Sequence, residues 1–190
     1  MSIQRKREWA FFLLVVAIGV FVLYKGIRIS WNSGQIDATI VQQRGGIATV
    51  DTPRKPLNTM HIKLERLAFD RGRMLKNAQY GKLGFTTNIF VDATTKMRVD
   101  KAGEYRFIVY SDDGFRLAID GKTRCEHPGD RPYRATTCRV NLDEGTHTFT
   151  LHYFQGGGPM GLKVYYLSPG ASKRRVVGED SASITFERPR

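Results

Sequence analysis

From Phe85 onward, apolar residues recur at every second position in short rows. Tyr105, Phe107 and Val109 alternate with Arg106, Ile108 and Tyr110, and Phe115, Leu117 and Ile119 with Arg116, Ala118 and Asp120. Phe149, Leu151 and Tyr153 form a third row, and Leu162, Val164 and Tyr166 a fourth. A period of two places successive side chains on opposite faces of a strand, so each row predicts a strand with one buried face. Turn formers bound the rows: Lys101-Ala102-Gly103, Asp112-Asp113-Gly114, Asp120-Gly121, Glu144-Gly145 and Gly156-Gly157-Gly158-Pro159. Such short runs between turns predict an antiparallel sandwich or barrel. Asp120-Gly121 reads as a two-residue hairpin turn, which requires positive φ. Upstream, Ile62, Leu64, Leu67 and Phe69 fit neither strand nor helix period, giving a strand with a bulge or a short helix. Between Ile29 and Lys55 small and polar residues dominate, with Gly45-Gly46 and Pro53 as breakers and Pro56 beyond, so this stretch reads as a stalk followed by a loop or edge strand. After Ser168 come Lys173-Arg174-Arg175 and a last short strand near 183–186.

The N-terminus has a different pattern. Sixteen residues from Trp9 to Tyr24 carry no charge. As a helix they span about 24 Å, short of a hydrocarbon core of about 30 Å. Extension to Ile29, with Lys25 and Arg28 snorkelling, closes the gap, and Trp9 and Tyr24 stand at the two ends where amphipathic rings favour the interface. A cleaved signal peptide is the rival reading. Its best site, Ala17-Ile18-Gly19, leaves only about eight apolar residues before the cut. A buried core helix is the third reading. Arg5, Lys6 and Arg7 precede the run and hold the N-terminus in the cytoplasm, a bias that Lys25 and Arg28 weaken without reversing. The expected organisation is a cytoplasmic tail over 1–8, a transmembrane signal anchor over 9–29, a stalk over 30–59, a β-sandwich over 60–167 and a basic segment over 168–190. This places a single-pass protein in a bacterial inner membrane with its C-terminal domain in the periplasm.

Composition adds limits. The 190 residues allow one ordinary domain with an appendage, and a hydrophobic content of 41% rules out whole-chain disorder. The formal charge is +12; from residue 31 onward 25 Lys and Arg face 17 Asp and Glu, leaving +8. Arg124, Arg131, Arg134 and Arg139 cluster in and around the segment between the two cysteines. A basic face of this kind favours an anionic leaflet or acidic polysaccharide, or is simply a cationic solvated surface. An extracytoplasmic domain disfavours nucleic acid. Cys125 and Cys138, both on the exported side, suit a disulfide closing a loop of about 14 residues, worth about 3 kcal/mol. Zinc would need about four ligands, and His127 is the one plausible third; free thiols are the remaining alternative. His147 and His152, five apart on one row, face opposite sides of a strand and form no metal pair from one face. The Gly-rich loop lacks the Lys-Ser/Thr of a phosphate cradle. No serine stands in a nucleophile elbow and nothing selects a carboxylate pair, so no enzymatic activity is expected.

The stretch from Ala102 to Gly121, with Gly103-Glu104-Tyr105-Arg106-Phe107, Ser111-Asp112-Asp113-Gly114 and Ile119-Asp120-Gly121, is distinctive in combination. So is the later stretch from Glu144-Gly145 through Tyr153-Phe154-Gln155-Gly156-Gly157-Gly158 to Gly161-Leu162. Together they resemble the fourteen-kilodalton protective-antigen domain family, a β-sandwich found in anthrax protective antigen, bacterial glycosidases and yeast flocculin-type adhesins. The resemblance covers about residues 85–167, with a poorer extension to about 60. The fold class expected is therefore all-β: an antiparallel β-sandwich of this kind preceded by one transmembrane helix.

The resemblance implies carbohydrate binding, as in the family's lectin branch, where two successive aspartates joined by a cis peptide bind Ca²⁺ and a second loop completes the site. The positions matching the pair are Asp112 and Asp113, and the second loop is Gln155 to Met160. Adjacent carboxylates repel, and a hard cation with oxygen ligands removes that conflict; the residues alone equally suit a turn capped by Asp and Gly. Two departures stand out. Where the flocculin-type loop supplies an Asn, this chain has Gln155, Gly156, Gly157, Gly158, Pro159 and Met160, and Asn88-Ile89-Phe90-Val91 replaces a Trp-bearing motif. Arg131 and Arg134 are expected to border the ligand. Two function classes follow: a membrane-anchored, lectin-like module for envelope polysaccharide or adhesion, and a non-catalytic subunit of an envelope membrane-protein complex.

Overall fold

The computed structural model describes residues 13–16 and 34–187. The chain divides into two compact units, 1–33 and 34–190. In the first, residues 13–16 are helical; the rest of the span expected over 9–29, and the tail before it, lie outside the described residues. Among the described residues no helix is long and apolar enough to cross a membrane.

The second unit is all-β and antiparallel. Its strands in chain order are β1 (Ile36–Gln43), β2 (Pro56–Leu64), β3 (Ala68–Gly72), β4 (Lys76–Asn77), β5 (Gly81–Lys82), β6 (Ile89–Val99) and β7 (Gly103–Asp112). There follow β8 (Phe115–Ile119), β9 (Lys122–His127), β10 (Arg134–Leu142), β11 (Gly145–Gln155), β12 (Met160–Leu167), β13 (Arg175–Val176) and β14 (Ile184–Glu187). A seven-stranded sheet runs β2-β1-β6-β11-β8-β9, with β14 also on β6; a five-stranded sheet runs β10-β7-β12-β13, with β3 also on β12. β4 and β5 form a separate small ribbon.

The four aromatic rows turn inward as their period predicts. Tyr105, Phe107, Phe115, Phe149, Tyr153 and Tyr166 are all fully buried, each such side chain contributing about 1.5–3 kcal/mol by leaving water. Phe107 and Phe149 meet across the two sheets with ring centroids 5.8 Å apart. Buried tyrosine hydroxyls find backbone acceptors: Tyr105 donates to the Lys101 carbonyl at 2.7 Å and Tyr166 to that of Glu179 at 2.7 Å, keeping the polar ends satisfied. The β8–β9 hairpin turns on Asp120 and Gly121, with φ of 53° and 73°, the signature of a two-residue turn.

Three expectations need correction. The stretch assigned to a stalk holds β1, which lies between β2 and β6 in the larger sheet. Ile36, Ala38 and Ile40 are buried while Asp37 is exposed and Thr39 half-buried, a period-two pattern disguised by small residues. The irregular run over 61–69 is neither a bulged strand nor a helix. It is the end of β2 and the start of β3, which belong to different sheets, so Leu64, Leu67 and Phe69 all reach the core from either side of a turn. The basic C-terminal segment is part of the sandwich, burying Val177, Ile184 and Phe186.

From β6 to β12 every connection except the β8–β9 hairpin crosses from one sheet to the other. Cys125 on β9 and Cys138 on β10 form a disulfide with Cα atoms 5.7 Å apart. It joins an edge of one sheet to an edge of the other and closes the segment between them. Replacing both cysteines by serine should lower unfolding stability by about 3 kcal/mol, read as a lower urea midpoint; an unchanged midpoint would mean that the edges are held by packing alone.

Candidate functional site

The pairing register brings one set of connections to one end of the sandwich. Tyr153 on β11 pairs with Phe115 at the start of β8, which pairs with His127 at the end of β9. Gly161 at the start of β12 pairs with Asp112 at the end of β7, and Ile89 at the start of β6 with Gln155 and Gln42. The segments 44–55, 112–114, 128–133 and 156–159 therefore gather there.

Asp112 and Asp113 occupy the crossing from β7 to β8, not a hairpin, and the peptide between them is cis. Both are buried, with relative exposures of 8% and 4%. The local sequence accounts for their placement. Ser111 Oγ donates to the Asp113 carbonyl at 2.7 Å, while Gly114 admits the backbone of the β9–β10 segment. A Cβ at Gly114 would strike the His127 carbonyl and lie 2.6 Å from that of Gly129. The Gly156 amide donates to Asp113 Oδ2 at 2.8 Å, so the β11–β12 loop is held against the carboxylate. The Asp112 carboxylate accepts from the backbone N–H of Tyr133, and Tyr153 donates its hydroxyl to the Asp112 carbonyl at 2.5 Å.

The electrostatics of the corner are acidic despite the basic chain. Burial raises the Asp113 carboxyl to about 7, helped by a hydrogen bond and charge repulsion from Asp130 and by repulsion from Asp112; the Gly156 amide opposes the rise. Burial also raises Asp112, against the pull of Arg71 and the Tyr133 amide. Opposite charge comes from beneath. Arg131 is 7% exposed; its Nε and Nη2 donate to Ser111 Oγ at 3.2 and 2.6 Å, and its Nη1 to Thr136 Oγ1 at 2.7 Å. The Asp112 and Asp113 carboxyls thus share the corner with the guanidiniums of Arg71 and Arg131, and burial still raises both above their ordinary value.

The sequence matches the PA14 domain family over residues 77–180, more than half of its length. The chain belongs to the PA14 domain family. Among curated proteins none matches. Among solved structures, the PA14 domain of the antifreeze protein MpAFP is 15% identical, with a TM-score of 0.60 over 77% of this chain and 87% of that one. A PA14 sugar-binding domain from an RTX adhesin is 17% identical, with a TM-score of 0.58 over 76% and 95% of the two chains. The epithelial adhesin 6 A domain of Candida glabrata, in complex with Galβ1-3GlcNAc, is 10% identical, with a TM-score of 0.58 over 76% and 83%. At these identities the likeness is one of fold.

Within this PA14 domain the expected site residues separate into groups. Asp112, Asp113 and Gly156 come together. Gly157 and Gly158 are exposed on the same loop. Gln155 is fully buried, its amide donating to the Gly157 carbonyl at 2.6 Å, so its side chain shapes the loop from inside. Arg134 is exposed on β10, opposite Ser111. Arg131 is not on the rim as expected; its guanidinium is spent on Ser111 and Thr136. Two contributors went unforeseen. Asp130, in a Pro-Gly-Asp-Arg-Pro turn, meets Asp113 from a segment distant in sequence. The loop over 44–55 buries Ile47 and Val50 with Val41, Phe90 and Phe154, and its Val50 amide donates to the Pro128 carbonyl at 2.9 Å. Arg116 ties the loop down through Asp51, at 2.6 and 2.9 Å, while also pairing with Glu126.

Oxygen is the donor type available for a cation here, which suits a hard ion such as calcium. Among the described residues no three His, Cys, Asp or Glu side chains are gathered into a ready-made cluster, so carbonyls, water or ligand hydroxyls must complete any coordination.

Two predictions follow from this geometry. In metal-free protein Asp113 binds a proton in the folded state but not the unfolded one between about pH 4 and about 7. Stability therefore falls as pH rises through that window, and Asp113→Asn should flatten the fall; urea unfolding in chelator at stepped pH decides, and an unchanged slope would refute it. Arg131→Met leaves Ser111 and Thr136 without their buried partner and should cost about 2–3 kcal/mol, measured at one pH by the same unfolding curves.

Proposed function

We propose that this PA14 domain is a carbohydrate-binding module whose ligand is held at the Asp112–Asp113 corner through a bound calcium ion. The observation that carries the reading is the buried spot made by the adjacent carboxyls of Asp112 and Asp113, which the exposed Asp130 approaches, beside the exposed Gly157 and Gly158. Such a spot is resolved either by a proton or by a divalent cation. Family membership supports it, as do the RTX adhesin domain described as sugar-binding and the adhesin domain complexed with Galβ1-3GlcNAc.

Calcium supplies charge neutralisation and coordination positions for vicinal sugar hydroxyls. In this reading Asp112 and Asp113 hold the ion, Asp130 adds negative charge, and the Gly156–Gly158 loop offers carbonyls, with open space at Gly157 and Gly158. Arg131 acts from below, fixing Ser111 and through it the Asp113 backbone. The anchor over 9–29 tethers the module to the inner membrane with the sandwich in the periplasm, where envelope polysaccharide is the glycan within reach.

Calorimetric titration of Ca²⁺ into the full-length protein in nonionic detergent tests the site. Saturable heat in the parent, weakened at least tenfold in Asp113→Asn, is the expected result, together with calcium-dependent signal on a glycan array that chelator removes. Absence of binding at millimolar calcium would overturn the mechanism, and a chelator-insensitive glycan signal would overturn the role of the ion.

A further inference from the structure

The outer faces of the two sheets differ in chemistry. On the seven-stranded sheet the outward positions of β6 and β11 include Thr94, Lys96, Arg98, Thr148 and Thr150, as a face in contact with water should. On the five-stranded sheet the outward positions of β7 and β12 carry Ile108, Tyr110, Tyr165 and Leu167, all half-buried.

The aromatic residues form a continuous but uneven platform, the Tyr110 and Tyr165 rings being inclined at 78°. The Tyr110 ring lies 5.8 Å from that of Tyr133 and 5.9 Å from that of Tyr165, measured between centroids. Cations sit over the same rings. The Arg174 guanidinium is 4.3 Å from the Tyr165 centroid and 5.8 Å from that of Tyr110, and its Nη1 donates to the Tyr110 hydroxyl at 3.2 Å. Arg71 stands 5.6 Å from the centroid of Tyr133, and Lys163 5.5 Å from that of Tyr165. Among the described residues the ion pairs involve other cations, and none includes Arg71, Lys163 or Arg174. The cation–π contacts position these charges without neutralising them; Arg71 also faces the Asp112 carboxyl, which leaves Lys163 and Arg174 with no carboxylate set against them among the described residues.

We infer that this face is a second glycan-binding surface, and that its ligand is an acidic polysaccharide of the uronate type. With cations over their faces, the tyrosine rings offer apolar edges and hydroxyls to a sugar chain. Guanidiniums are the side chains best matched to carboxylates. A neutral sugar would leave Lys163 and Arg174 unanswered, whereas a carboxylated chain satisfies ring and charge together. The platform also adjoins the acidic corner, because the Tyr133 amide donates to Asp112 while its ring joins Tyr110. An acidic corner repels a polyanion unless calcium is bound, so the tyrosine platform is the part of this end that takes such a chain in metal-free protein. The inference goes beyond the proposed calcium site and stands or falls separately.

The test is affinity electrophoresis and titration of full-length protein in nonionic detergent with polygalacturonate, in EGTA so that the Asp113 corner carries no calcium. Retardation by polygalacturonate but not by dextran is expected, declining with added NaCl. Arg174→Gln and Tyr165→Ala should each weaken it at least tenfold, while both variants keep the parent's calcium titration. Asp113→Asn should leave polygalacturonate binding intact, so that failure of the calcium reading and failure of this one are distinguishable. Undiminished binding by Arg174→Gln and Tyr165→Ala would overturn the assignment. So would dextran binding equal to that of polygalacturonate, or tighter binding of phosphatidylglycerol vesicles or single-stranded DNA lost in the same variants, since the surface would then be one for lipid or nucleic acid.

Discussion

The fold depends on consecutive strands being placed in opposite sheets. Packed sheets stand about 10 Å apart, so each crossing must span the thickness of the core, and it can do so only at an end. From β6 to β12 the chain makes this crossing five times, broken once by the β8–β9 hairpin. The inward aromatic rows make the arrangement stable, because each strand can bury its apolar face only against the opposite sheet. Gathering loops from distant parts of the chain at one end is a consequence of that constraint. The Asp112–Asp113 corner, the Asp130 turn and the Gly156 loop become neighbours for this reason.

At the corner, the same constraint imposes an electrostatic cost. Two carboxylates are nearly out of water and a third approaches them. A fully apolar corner would be cheaper, so the arrangement persists because other groups compel it. Gly114 lets the His127–Gly129 backbone press in, the Gly156 amide holds Asp113, and the buried Arg131 guanidinium braces Ser111. What remains is a rigid pair of buried carboxyls whose charged forms burial disfavours, and a hard cation relieves that penalty.

Much of the sandwich was legible because large aromatic residues repeat at period two and glycine marks the ends of the rows. β1 was hidden because Ala38 and Thr39 beside it carry little hydrophobic contrast, though Ile36 and Ile40 are as buried as any core residue. The break between β2 and β3 was misread because Leu64, Leu67 and Phe69 point into one core from two sheets, a relation that no single periodicity encodes. At the site, the paired aspartates and the glycine loop were visible as motifs, whereas the roles of Arg131 and Asp130 were not. Long basic side chains are solvated by default, and only the three-dimensional meeting with Ser111 and Thr136 takes Arg131 inside. Asp130 meets Asp113 across a chain crossing, and nothing local marks the pair.

The two outer faces bear on how such a domain diversifies. Inward positions are constrained by packing, since a core at crystal-like density tolerates few changes. Outward positions of a sheet are constrained only by solubility, so a departure from polar residues there calls for a separate cause. On the larger sheet one outward patch, Val41, Phe90 and Phe154, is explained: the loop over 44–55 covers it with Ile47 and Val50. On the smaller sheet no comparable loop cluster covers Tyr110 and Tyr165 among the described residues; cationic side chains lie over their rings instead. A ring capped by a cation remains accessible at its edges and keeps the cation's charge available, whereas a ring capped by aliphatic side chains is withdrawn from binding. The same outward aromatic positions thus serve packing on one sheet and recognition on the other, and the nature of the cap decides which.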